Sequence, residues 1–260
     1  MSDPASSVSI TRRQMLCTSA AAVATVAIAP SMGHAFQNAF TTAPANHRYR
    51  IGACDWMMLK RQTPGGITRA REVGCDGVET DMGPLSKNPT FTNKFLQEDG
   101  FAELYLRTCR ENNIEICSLA MSGYYAQPFA ERPYEQPLKD CIATMKLLNV
   151  KIAFLPLGVS DVSERPWLYH ETVERLKRVG DWAGEAGVVI GIETTLKAES
   201  QCRMLDDINS PAIRIYYNFQ NPIRAGLNVP NEIRMLGKDR ICQIHPTNTD
   251  VYWLQEDPAV

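Results

Sequence analysis

Val188-Val189-Ile190-Gly191-Ile192-Glu193-Thr194-Thr195 is a run of β-branched apolar residues that ends abruptly in a carboxylate. A strand apolar on both faces reads as a buried parallel strand. An acid at the end of such a strand needs a partner, usually a metal or a substrate. Two later stretches end in the same way. Arg214-Ile215-Tyr216-Tyr217 runs into Asn218, and Arg240-Ile241-Cys242-Gln243-Ile244 runs into His245. The three polar residues stand 25 and 27 residues apart, each step about one βα unit. With Glu193 facing inward, alternation puts Val189 and Gly191 beneath it and turns Ile190 and Ile192 towards helices; the same parity aims Asn218 and His245 inward.

Outward from this stretch the chain alternates strand and helix. Strands are expected at 49–56, 75–81, 114–121, 150–156, 188–193, 213–218 and 240–245. Helices are expected at 67–73, 97–112, 137–148, 171–186, 198–208 and 230–236, with Gly74, Gly187 and Gly237 as stops. This βαβα order implies a parallel sheet and an α/β fold. The architecture expected is a (β/α)8 TIM barrel over 49–260 that stops after its seventh strand. No internal repeat breaks the pattern.

Side chains at the C-terminal ends of barrel strands are where such folds place their active sites. Carboxylate, amide and imidazole together suit Mn, Mg, Co or Zn. The plainer alternatives are a rim ion pair for Glu193, a satisfied core group for His245, and an ordinary strand-end residue for Asn218.

Gly191-Ile192-Glu193, Tyr216 to Asn221, and Gln243-Ile244-His245 resemble the sugar phosphate isomerase/epimerase family of xylose-isomerase-like TIM barrels. The opening Ile51-Gly52 and Gly74-Cys75-Asp76-Gly77-Val78-Glu79 match as well. The resemblance implies a divalent ion held by Glu, Asp, His and Glu at the ends of strands five to eight. Carried over, this gives Glu193, Asn218 and His245 as metal ligands. Asn218 stands where the family has Asp, which removes a negative charge and should weaken the ion. The fourth ligand would fall beyond Val260. The chemistry implied moves a proton next to a carbonyl through an enediolate, with Glu193 as the catalytic residue.

Supporting residues lie near the same strand ends and loops. Glu79 could bond sugar hydroxyls or form a rim salt bridge, and Asn221 sits where the family often contacts substrate. Trp56, Tyr124 and Tyr125 could stack on a sugar ring or simply pack their loops. Asp250 and Trp253 follow the seventh strand and could approach the mouth, whereas His170, just ahead of a helix, reads as a surface or capping residue.

Of 260 residues 44% are hydrophobic, and Lys+Arg 27 against Asp+Glu 29 leave a net charge of −2. That balance gives no reason to expect nucleic acid or an anionic membrane as partner. The substrate expected is a small sugar or keto-sugar, since no Gly-rich phosphate loop or basic cluster is present. Three functions compete: a metal-dependent isomerase or epimerase, a lyase acting on oxidised (keto) glycosides, and a non-catalytic sugar-binding protein.

The N-terminus reads as something other than fold. Thr11-Arg12-Arg13-Gln14-Met15-Leu16 precedes an Ala-rich apolar stretch from Cys17 to Ala29, with Gly33-His34-Ala35 after it. Residues 1–35 resemble a twin-arginine signal, and 36–48 a flexible lead-in. The apolar run is short for a membrane span, so the mature protein is expected in the periplasm or secreted, free of the membrane. Seven of the eight cysteines follow the signal; buried free thiols suit a protein folded before export. Changing Arg12 and Arg13 together to Lys should leave the precursor in the cytoplasm. Cell fractionation tests this, and normal export of that variant would refute it.

Overall fold

The computed structural model describes residues 49–85, 88–126, 128–157 and 166–246. Residues 1–48, with the signal and lead-in, and 247–260, with Asp250 and Trp253, lie outside the described residues. From Arg50 onward the chain forms one compact unit. No described helix is long and apolar enough to cross a membrane.

Seven parallel strands lie in sequence order and curl into a half-barrel: β1 (Gly52–Cys54), β2 (Gly77–Asp81), β3 (Glu115–Ala120), β4 (Ile152–Pro156), β5 (Val189–Glu193), β6 (Ile213–Asn218) and β7 (Ile241–His245). Eight helices are described: α1 (Pro64–Glu72), α2 (Lys94–Gln97), α3 (Phe101–Asn112), α4 (Glu135–Leu148), α5 (Pro166–Ala186), α6 (Ala198–Ile208), α7 (Gln220–Arg224) and α8 (Val229–Leu236).

Expected and observed elements agree in order, and they differ where turn chemistry decides. The helix expected over 97–112 begins only at Phe101, after Gly100 at φ 73, and a separate single turn, Lys94–Gln97, precedes it. Helices α3, α4 and α6 stop on Asn113, Asn149 and Asn209, all left-handed. Asparagine tolerates that conformation through its short polar side chain. Helix α5 starts at Pro166, ahead of the expected 171, so His170 lies within the helix and is exposed. The short helix α7 and a 3₁₀ turn at Ser122–Ala126 had no periodic signal to announce them.

Two apolar layers result. Ile190, Ile192, Ile213 and Ile215 face the helices and pack with Leu176, Val179 and Met204. Inside the curl, Ala120, Phe154 and Tyr216 form a smaller cluster against which Trp56, Ile152 and Cys242 pack.

Two irregularities aim the inner face. Pairing runs Val78↔Ile116 and then Glu79↔Ser118, which leaves Cys117 as an extra residue in β3. It runs Ile215↔Ile241 and then Tyr216↔Gln243, which leaves Cys242 extra in β7. Each bulge resets which side chains point inward. Each extra cysteine also needs a glycine opposite. A Cβ on Gly52 would lie 2.6 Å from Cys117 Sγ, and one on Gly191 2.6 Å from Cys242 Sγ and 2.9 Å from the Tyr216 ring. Gly191→Ala should therefore lower stability by about 1–3 kcal/mol through overpacking. Adding Cys242→Ala should recover part of the loss. Thermal melts of the single and double variants check both, and a Gly191→Ala protein as stable as the parent would overturn the account.

Candidate functional site

The three strand ends singled out in the sequence meet. Glu193 closes β5, Asn218 closes β6 and His245 closes β7, with Asn218 and His245 in register. Glu193 is 8% exposed and Asn218 6%. Glu193 Oε2 lies 3.2 Å from His245 Nδ1 and accepts a hydrogen bond of 3.1 Å from the Asn218 side-chain amide nitrogen. Asn218 Oδ1 accepts the Gln220 backbone N–H at 2.9 Å, an Asx turn that caps the end of β6. Tyr125 O–H donates to the other oxygen, Glu193 Oε1, at 3.4 Å. The carboxylate is thus split: Oε2 faces imidazole and amide, and Oε1 faces a phenol.

Deeper in the curl, Glu79 is 3% exposed. Its Oε2 accepts from Tyr216 O–H at 2.5 Å and Ser118 O–H at 2.7 Å, and its Oε1 from the Cys54 thiol at 3.2 Å. Burial, reinforced by Glu79, pushes the Cys54 thiol and the Tyr216 phenol well above their ordinary ranges. Both groups therefore keep their protons and act as donors. A buried carboxylate is tolerable when it is hydrogen-bonded in this way. Gln243 Nε2 adds a bond to Ser118 Oγ at 3.3 Å.

His245 stands between the two carboxylates. Its Nδ1 faces Glu193, while its Nε2 lies 3.8 Å from Cys54 Sγ on the Glu79 side. Burial alone would lower the imidazole pKa. The hydrogen bond with Glu193 and the fields of Glu79 and Glu193 outweigh it, and the pKa rises above its ordinary value.

Other expected site residues fall differently. Trp56 packs against the inner cluster of Phe154 and Tyr216. Tyr124 is fully buried, ringed by Phe91 and Phe129, and its hydroxyl donates to Pro133 O at 3.1 Å. The 3₁₀ turn instead presents the neighbouring Tyr125 to Glu193 and Phe154. Asn221 donates to Thr194 O at 3.1 Å and so pins the chain just after Glu193. Glu79 is no rim residue, since its partners are inside the curl. Cys54, Ser118, Tyr216 and Gln243 were missed. Period-2 alternation from Asn218 would have found Tyr216, and from His245 would have found Gln243; Ser118 follows the bulge at Cys117.

A divalent ion fits this donor set in part. Glu193 Oε2 and His245 Nδ1 converge at a separation two ligands of one ion could share. Asn218 presents its amide nitrogen to that place, and its oxygen would reach it only after the amide turns over and releases Gln220.

The chain matches the family described as Xylose isomerase-like TIM barrel over residues 67–253. A 2-epi-5-epi-valiolone 7-phosphate 2-epimerase from Actinoplanes sp. is 24% identical over 203 residues, covering 74% of this chain and 71% of the relative. Two solved structures share the fold. A probable 3-DHS dehydratase involved in petrobactin synthesis from Bacillus anthracis superposes with TM-score 0.62 at 14% identity, over 81% of this chain and 78% of its own. A 3-keto-D-glucoside 4-epimerase from E. coli gives TM-score 0.62 at 12% identity, over 78% and 80%.

The Glu79 network makes a stability prediction. Tyr216→Phe strips a strong donor from a buried carboxylate and should cost about 1–3 kcal/mol in urea denaturation. Tyr125→Phe, where the phenol is partly exposed and the bond longer, should cost less than about 1 kcal/mol. Equal losses would mean that Glu79 does not depend on its donors.

Proposed function

Because the chain belongs to the Xylose isomerase-like TIM barrel family, we propose that it is a divalent-metal-dependent isomerase or epimerase of a sugar or keto-sugar. The observation that carries this reading is the convergence of Glu193 Oε2 and His245 Nδ1, 3.2 Å apart, at the C-terminal ends of adjacent-but-one strands.

The two oxygens of Glu193 have separate tasks. Oε2, turned to His245, would help hold a divalent ion, with His245 as the second ligand and Asn218 as a weak third. When bound, the ion supplies a Lewis acid that polarises neighbouring oxygens. Oε1 is the basic atom that takes the proton from the carbon next to the substrate carbonyl. Return of that proton by Glu193 to the neighbouring carbon gives isomerisation, whereas epimerisation requires a second acid to protonate the same carbon from the opposite face. Tyr125 O–H, aimed at Oε1, orients the carboxylate and keeps a donor beside it. Trp56 offers an apolar ring at the inner cluster for the sugar face. Asn221 holds the backbone after Glu193. Glu79 supports the site from below, since its oxygens are engaged by protein donors.

The same base could drive elimination from an oxidised glycoside, so product analysis on keto-sugars must separate isomerase from lyase. A second reading, sugar binding without turnover, is favoured by one observation: Asn218 turns a donor, not a ligand oxygen, towards Glu193. The substrate is small and neutral on either reading. The Arg12-Arg13 motif ahead of its apolar stretch supports export to the periplasm, with 49–260 as the working domain.

Glu193→Gln and His245→Ala should each lower bound metal about 10–100-fold, read by elemental analysis. Glu193→Gln should also cut turnover about 10²–10⁴-fold. Asn218→Asp should tighten the metal by restoring a charged ligand. Metal content that none of the three changes moves, together with no product from any keto-sugar, would leave the sugar-binding reading standing.

A further inference from the structure

His245 has a second face that the proposed reaction does not use. Its Nε2, Cys54 Sγ and a Glu79 carboxylate oxygen all lie within 4.8 Å of one another. The thiol sits 3.2 Å from Glu79 Oε1 and 3.8 Å from His245 Nε2. Zinc bonds of about 2.3 Å to sulfur and 2.0–2.2 Å to nitrogen or oxygen put tetrahedral ligand atoms roughly 3.4–3.6 Å apart. The two separations to sulfur are therefore close to zinc-binding spacing, and the imidazole and the carboxylate, within 4.8 Å of each other, complete the trio.

The surroundings prepare each ligand. Glu79 Oε2 takes two strong donors, Tyr216 and Ser118, whereas among the described residues Oε1 takes the Cys54 thiol, a weak donor. The less satisfied oxygen is the one beside Cys54. On the imidazole, a proton on Nδ1 donated to Glu193 leaves the Nε2 lone pair directed at Cys54 and Glu79. That is the carboxylate–histidine–metal arrangement in which the outer carboxylate fixes the tautomer. Sulfur, nitrogen and one carboxylate oxygen together select a thiophilic cation over magnesium or calcium.

We infer that Cys54, Glu79 and His245 Nε2 form a zinc-type site inside the curl, on the opposite face of the imidazole from Glu193. Binding exchanges the Cys54 S–H for a metal–thiolate bond and releases the proton to solvent. Glu193 then acts on this ion as the positioning residue of His245. The inference does not rest on the sugar chemistry, but it shares His245 and Glu193 with it, and an ion here excludes one held through His245 Nδ1, which keeps its proton for Glu193.

Cobalt reports on it directly. Full-length protein freed of metal with a chelator would be titrated with Co²⁺ and followed by absorption. A thiolate-to-cobalt charge-transfer band in the near ultraviolet should grow to one ion per chain, and Zn²⁺ should abolish it. Cys54→Ser and Cys54→Ala should both remove the band, while Cys117→Ser, a cysteine beside Glu79 but outside the trio, should keep it. Glu193→Gln should keep the band and weaken binding about 10–100-fold. Metal-free melting curves of each variant show whether it has folded. Cobalt binding with no charge-transfer band, a band that survives both Cys54 changes, or no cobalt binding at all would overturn the inference. Binding lost in Glu193→Gln but unmoved by Cys54→Ser would overturn it too, while leaving ligation through Glu193 Oε2 and His245 Nδ1 intact.

Discussion

The constraint on which this structure turns is the burial of a carboxylate at its centre. Removing Glu79 from water is costly unless donors replace the lost solvent. The chain meets that demand from three strands at once: Cys54 from β1, Ser118 from β3 and Tyr216 from β6. Strands distant in the sheet are thus tied by side chains across its concave face. These bonds help define the curl that brings the end of β7 near the end of β1. Packing on the outer face is apolar and tolerant, and the polar inner network is what fixes the relative placement of individual side chains.

Placing those donors requires the strands to depart from regular alternation. The extra residues Cys117 and Cys242 shift the parity of β3 and β7, so Ser118 and Gln243 turn inward where a regular ladder would have turned them out. The shift is feasible because Gly52, Gly77 and Gly191 leave the bulged sulfur atoms room. Glycine inside a strand is ordinarily a weakness; here it permits a close approach. Gly191 sits two residues before Glu193, so the room left for the Tyr216 ring also bears on the placement of the carboxylate.

His245 joins the upper and lower halves of the site. With Nδ1 towards Glu193 and Nε2 towards Cys54 and Glu79, it couples a carboxylate near the mouth to one in the interior. Whichever face holds an ion, the other hydrogen bond decides the tautomer and the direction of the ring. Family membership supplies the barrel, and relatives named as epimerases and a dehydratase show how varied the chemistry on this fold can be.

The sequence by itself determined the α/β alternation, the seven parallel strands and the convergence of Glu193, Asn218 and His245. It could do so because a strand buried on both faces must be apolar along its length, and a polar residue ending such a run stands out. The same reasoning placed Ile190 and Ile192 against helices and Gly191 inside. The sequence could not choose between Tyr124 and Tyr125, since a 3₁₀ turn has no apolar period; only packing against Phe91 and Phe129 buried the first and exposed the second. Nor could it show that Glu79 lies inside the curl, or that Asn218 turns its amide nitrogen to Glu193. Those depend on two bulges and on hydrogen bonds between residues up to 191 positions apart. Local periodicity carries which residues are buried, and only the curled geometry of many strands decides which buried polar atoms meet.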